Sequence, residues 1–114
     1  MTSLSSNRAL AGAGLAAVAL MLWTPLAGGT AKAADAANGE LLAKRWCTFC
    51  HIVAPDQTSG ADNAPAFAAI AKIPGFSEDK LARFLMDPHP KMPDMQLGRG
   101  EAKDLAAYIA SQAQ

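Results

Sequence analysis

The sequence predicts an all-α domain. Three observations carry that prediction: apolar residues recur at helical spacing in several segments, no segment alternates apolar and polar residues as a strand would, and alanine, the strongest helix former, is abundant. A further stretch shows where the domain is organised. In Cys47-Thr48-Phe49-Cys50-His51 two thiols stand three residues apart and an imidazole follows at once. On one helical turn these side chains lie at i, i+3 and i+4 and share a face.

That order of ligands is the attachment pattern for a c-type haem, in which both sulfurs form thioether bonds to the porphyrin and the histidine binds iron. Other chemistries fit less well. A Cys-x-x-Cys redox disulfide belongs in a strand–helix frame, and no strand pattern surrounds the motif. A structural zinc site needs about four ligands, whereas the chain holds two cysteines and two histidines, with His89 far away in a proline-rich loop.

In chain order, the first third differs from the rest. Met1–Arg8 is polar with one positive charge, Ala9–Leu22 is an unbroken apolar run, and Trp23–Thr30 contains a proline and two glycines. This is the layout of a secretory signal peptide, and Ala31-Lys32-Ala33 supplies an Ala-x-Ala cleavage site, with a second at Ala34-Asp35-Ala36. The apolar run is shorter than the roughly 20 residues of a spanning helix, which disfavours an uncleaved anchor. The expected organisation is therefore a leader over residues 1–33 and a haem domain over residues 34–114. Export agrees with the haem reading, because covalent haem attachment in bacteria takes place outside the cytoplasmic membrane.

Cleavage after Ala33 removes Arg8 and Lys32 but no acid, leaving eight Lys and Arg against ten Asp and Glu, a formal charge of −2. No basic stripe is present, so nucleic acid is not an expected partner. A mature chain this short builds only a marginal core. A buried porphyrin would supply apolar volume, so the haem-free chain is expected to fold poorly.

The first helix is expected to begin near Gly39, capped by Asn38 or Asp35, with Glu40 in its first turn, Leu41, Leu42 and Trp46 on its apolar face, and Lys44 and Arg45 near its end. Residues 52–65 have loop composition, and a backbone carbonyl near Ala64-Pro65 is the expected acceptor for the second ring nitrogen of His51. Phe67–Ile73 reads as a short helix with Phe67, Ile70 and Ile73 inward, ended by Pro74-Gly75. Ser77-Glu78-Asp79 starts a third helix with Leu81, Phe84 and Leu85 as its stripe, stopping before Pro88. Three prolines in Pro88-His89-Pro90-Lys91-Met92-Pro93 enforce an extended loop that offers both an imidazole and a thioether. The last helix spans Gly98–Ser111, with Gly98 as N-cap, Glu101 at N3, and Ala102, Leu105, Tyr108 and Ile109 inward.

With the haem motif near the mature N-terminus and a Met-Pro pair ahead of a final helix containing Leu105-Ala106-Ala107-Tyr108-Ile109, the chain resembles the class I cytochromes c over nearly all of residues 34–114. The resemblance implies the cytochrome c fold, with first and last helices crossing where Gly39 allows close approach to Leu105 and Tyr108. It implies one haem c on Cys47 and Cys50, His51 as proximal iron ligand, Pro65 leading to the carbonyl that holds His51, and Met92 as distal ligand. Met92 lies between Pro90 and Pro93, sixteen residues before Tyr108, at the family's spacing. Met95 stands second and is expected to pack at the ring edge, His89 stands third, and Met86 is expected in the core. Two departures are the polar insert before Pro65 and Gly98 in place of the usual Ser or Thr cap.

The function so implied is a periplasmic, monomeric electron carrier, not an enzyme, that passes single electrons between redox-partner proteins. Lys44, Arg45 and Lys91 are candidates to rim its docking face, and an apolar contact patch is an equal alternative. Contact with a membrane would come only through partners or an uncleaved anchor. The rival readings are a haem protein with a displaceable sixth ligand, peroxidase-like or gas-binding, for which His89 is the one obvious distal group, and an electron-transfer subunit of a membrane respiratory complex.

Overall fold

The computed structural model describes residues 29, 31–87 and 91–114, and the chain divides into two units, 1–30 and 31–114. The expected leader therefore falls almost wholly outside the described residues, as does His89. Among the described residues there are four helices and no strand: α1 (Ala36–Trp46), α2 (Phe67–Ala71), α3 (Glu78–Met86) and α4 (Arg99–Ser111). No described helix is long and apolar enough to cross a membrane.

Helix α4 is the centre of the second unit, and α1, α2 and α3 each pack on it. The expected stripe of α4 is buried as Ala102, Leu105, Tyr108 and Ile109, and Ala106 and Asp104 join it. Gly98 caps α4 with half a capping box: the Glu101 carboxylate accepts from the Gly98 N–H at 2.8 Å, and glycine has no side chain to return the bond.

Helix α1 begins at Ala36, three residues before the expected start, because Asp35 is the cap. Its carboxylate accepts the N–H groups of Ala37 and Asn38 at 3.0 and 3.1 Å. Glu40 consequently lies beyond the first turn and pairs with Lys44 at 2.6 Å. The buried face of α1 is Gly39 and Ala43, with Leu42 partly covered, while Leu41 and Trp46 face outward, contrary to the expected stripe. Small residues face inward because α1 lies so close to α4. A Cβ on Gly39 would collide with the Asp104 carbonyl and with Tyr108 Cβ.

The remaining helices are also shifted from expectation. Helix α2 stops at Ala71 and continues only as turns, leaving Ile73 55% exposed instead of inward. In α3 the buried position is Ala82, flanked by Leu81 and Leu85, and Phe84 is 49% exposed. Met86 packs with Ala82, Ala102 and Ala106 in a small cluster, in keeping with its expected core role. The main core joins Ala43, Cys47, Val53, Phe67, Leu105, Tyr108 and Ile109.

Candidate haem-binding site

The attachment residues sit where α1 ends and turns. Cys47 is the C-cap, its N–H donating to the Ala43 carbonyl at 2.8 Å, and the Cys50 and His51 N–H groups both donate back to the Cys47 carbonyl, at 3.2 and 2.8 Å. This turn gathers the two thiols and the imidazole, as the i, i+3, i+4 spacing requires. Cys47 is buried, Cys50 is half-buried, and both are free thiols. Burial, with the neighbouring Cys50 thiol, pushes the Cys47 thiol up to about 11. An environment that disfavours a thiolate to this extent suits the uncharged sulfur of a thioether.

His51 is buried, and its Nδ1 lies 2.6 Å from the Pro65 carbonyl oxygen. A carbonyl only accepts, so Nδ1 carries the hydrogen and Nε2 keeps its lone pair for a metal. The expected carbonyl near Ala64-Pro65 is thus that of Pro65. Phe67 stands 5.5 Å from the His51 ring, and Tyr108 meets Phe67 edge-on at 6.3 Å. The Phe67 N–H donates to the Ile52 carbonyl at 2.9 Å, which folds the loop back and sets Pro65 beside the imidazole.

From the late loop, Met92 is half-buried and comes into contact with His51. Met95 is packed against the main core together with Leu97, and the reversal between them at Gln96, φ 51°, is supported by the Asp94 carboxylate, which accepts the Gln96 N–H at 2.9 Å. Among the described residues no group of three or more His, Cys, Asp or Glu side chains is arranged to bind a metal ion by itself. Two thiols, an imidazole with one free nitrogen and a soft thioether fit a haem held covalently.

The chain is 50% identical over 97 residues to a cytochrome c-552 of Bradyrhizobium diazoefficiens, a match that spans 85% of this chain and 93% of the relative. The chain belongs to the class I c-type cytochromes. No family model matches it, and no solved structure does. As a class I cytochrome c it is an electron carrier, not an enzyme, and it takes one covalently bound haem c, with Cys47 and Cys50 positioned for the two thioether bonds. When bound, that group supplies a one-electron ferric–ferrous couple.

Three residues of the cytochrome's site escaped the sequence reading. Gln57 bonds the backbone around the attachment turn, Gly60 lets a second stretch of chain lie against it, and Asp104 ties α4 to the start of α1. Gln57 carried no periodic signal, because it lies in a loop. Gly60 read only as part of that loop's turn composition. Asp104 did leave a trace, as an acid wedged among the inward positions of α4. Of the cations expected near the docking face, Lys44 is engaged by Glu40, Arg45 lies 4.8 Å over the Trp46 ring, and Lys91 is exposed.

Proposed function

We propose that this cytochrome is an exported electron carrier in which His51 and Met92 are the two axial iron ligands, that residues 1–33 are removed on export, and that residues 34–114 work as a monomer in the periplasm between a donor and an acceptor protein. One observation carries the ligand assignment. The His51 ring is anchored through Nδ1 to Pro65, which leaves the Nε2 lone pair free to bind iron, and Met92 is in contact with the same residue. A thioether opposite an imidazole favours the ferrous state and raises the potential, and burial raises it further by disfavouring the extra ferric charge.

Single-electron transfer requires no acid–base group, and the chain's own residues have three tasks. Cys47 and Cys50 would fix the ring, His51 and Met92 would serve the iron as ligands in both oxidation states, and the surface would dock briefly with partners. Phe49, between the two cysteines, is 91% exposed, and Ile52 beside His51 is also on the surface. These side chains support an apolar contact patch next to the attachment turn.

Optical spectra of the haem-loaded wild type and of Met92→Ala test the assignment. The expected wild type is low-spin in both oxidation states, with a weak sulfur-to-ferric-iron charge-transfer band that Met92→Ala abolishes. A high-spin wild type that readily binds carbon monoxide would overturn His/Met ligation in favour of a displaceable sixth ligand. A variant that kept the band would pass the ligand to another methionine, with Met95 first. N-terminal sequencing of the exported protein tests the processing, with Ala34 as the expected first residue.

A further inference from the structure

The carbonyls of Thr48, Cys50, His51, Ile52 and Val53 all accept hydrogen bonds from outside the turn. Cys50 receives the Ala61 N–H at 2.8 Å, Ile52 the Phe67 N–H at 2.9 Å, and Val53 the Tyr108 hydroxyl at 2.9 Å. The other two carbonyls depend on one side chain. Gln57 Nε2 donates to the His51 carbonyl at 2.7 Å and to the Ser59 carbonyl at 2.7 Å, with the Thr48 carbonyl sharing a hydrogen at 3.2 Å. Its Oε1 accepts the Val53 N–H at 3.0 Å. The orientation of the amide is unambiguous, since three acceptors surround the nitrogen and a donor faces the oxygen.

From this geometry we infer that Gln57 is a positioning residue for the haem iron: it fixes the main chain of His51 while Pro65 fixes its ring, and so holds the proximal ligand from both ends. The turn needs such a donor. The carbonyls beyond the end of α1 have no partner within the helix, and a half-buried carbonyl without a donor draws in water. A short turn-forming side chain could not serve. Thr58 and Ser59 are neighbours in sequence, but only the long carboxamide offers two donors and an acceptor together. Gly60 completes the arrangement, because a Cβ there would come within 2.9 Å of the Cys50 carbonyl oxygen.

The inference rests on His51 being the proximal ligand, and the test keeps the two separable. Gln57→Met retains length and apolar bulk but loses all four bonds, whereas Gln57→Ala also loses the bulk. In the haem-loaded protein both variants are expected to have a lower reduction potential than wild type, because water admitted beside His51 stabilises the ferric charge. Amide exchange at Val53, whose N–H loses its acceptor, is expected to quicken on the order of tenfold, as for loss of about one net hydrogen bond, and exchange at His51, whose carbonyl loses its donor, to quicken with it, while the interior of α4 stays protected. A Gln57→Met protein with wild-type potential and wild-type exchange at those amides would overturn the inference, even if Gln57→Ala failed to take up haem. Exchange that quickened evenly over the whole chain would also overturn it, since that marks a general packing role. If the wild type itself lacked a histidine-ligated spectrum, the earlier assignment of His51 would be the one at fault.

Discussion

At the crossing of α1 and α4 the chain is held by contact. Gly39 lies directly against the Asp104 carbonyl and Tyr108, and Ala43 and Leu105 are fully buried beside them. A few residues further on, between His51 and Phe67, the chain gives the buried apolar core only Val53, Ala54 and Phe67. There the chain is held by hydrogen bonds instead: Gln57, Ala61, Phe67 and Tyr108 each take a backbone carbonyl near the attachment turn. The comparison teaches that the crossing supplies rigidity and the loop supplies orientation. Close packing tolerates little change in volume, whereas a hydrogen-bonded loop can absorb a small volume change and still lose the aim of one side chain.

Matched glycine substitutions separate these two behaviours. Gly39→Ala should have the larger effect on stability. The added methyl meets backbone on one side and a buried residue on the other, so α1 must move away from α4, at a cost of about 3 kcal/mol, the upper end of overpacking effects. Alanine's better helix propensity returns only about 1 kcal/mol. Chemical denaturation of the haem-loaded protein measures the difference, and the ferric charge-transfer band should be unchanged while the variant is folded. An effect below 1 kcal/mol would mean that the crossing is looser than its geometry.

Gly60→Ala should do the reverse. Its new Cβ would press on the Cys50 carbonyl from a loop that can give way, and the stiffer unfolded chain offsets part of the strain, so a loss of about 1 kcal/mol is expected. The attachment turn should nonetheless shift, and with it the reduction potential, which protein-film voltammetry reads directly. If Gly60→Ala cost as much stability as Gly39→Ala and left the potential alone, the division between a packed crossing and an orienting loop would be wrong.

The same division explains what could be read in the sequence. Features with a repeat or a fixed motif were legible: the α4 stripe, the gathering of Cys47, Cys50 and His51 on one turn, and the all-helical architecture. Gly39 was legible too, as a small residue at the expected crossing. In α1 and α3 the reading was only partly right: Leu42, Leu81 and Leu85 do pack against the core, but the most deeply buried positions were not legible. The crossing is so close that alanine and glycine occupy the buried positions, and Leu41, Trp46 and Phe84, the residues that hydropathy selects, are left on the outside. Gln57 was illegible for a different reason. Its role depends on three carbonyls brought together by the fold, and no local pattern of residue types marks that convergence.

Asp104 belongs to both classes, since it sits in the packed crossing and acts through hydrogen bonds, and its effect should be the smallest and should fade in acid. Its carboxylate accepts the Asp35 N–H and the Asn38 side-chain amide, both at 2.7 Å. Burial by itself raises its pKa, but those two bonds prevail and hold it below the ordinary carboxylate value, with the Lys32 charge adding to them only before residues 1–33 are removed. Protonation therefore favours the unfolded chain. The stability this group contributes is fully present above the unfolded value of roughly 4 and is lost as pH falls through the lower folded value. Asp104→Asn has no charge to titrate and sets its own amide N–H groups against that of Asn38. Measured by urea denaturation of the haem-loaded protein, the gap between wild type and variant should be constant near neutral pH and narrow below about pH 4. A gap that stayed constant into strong acid would show that the carboxylate at the crossing acts through its shape alone, as packing does, and not through its charge.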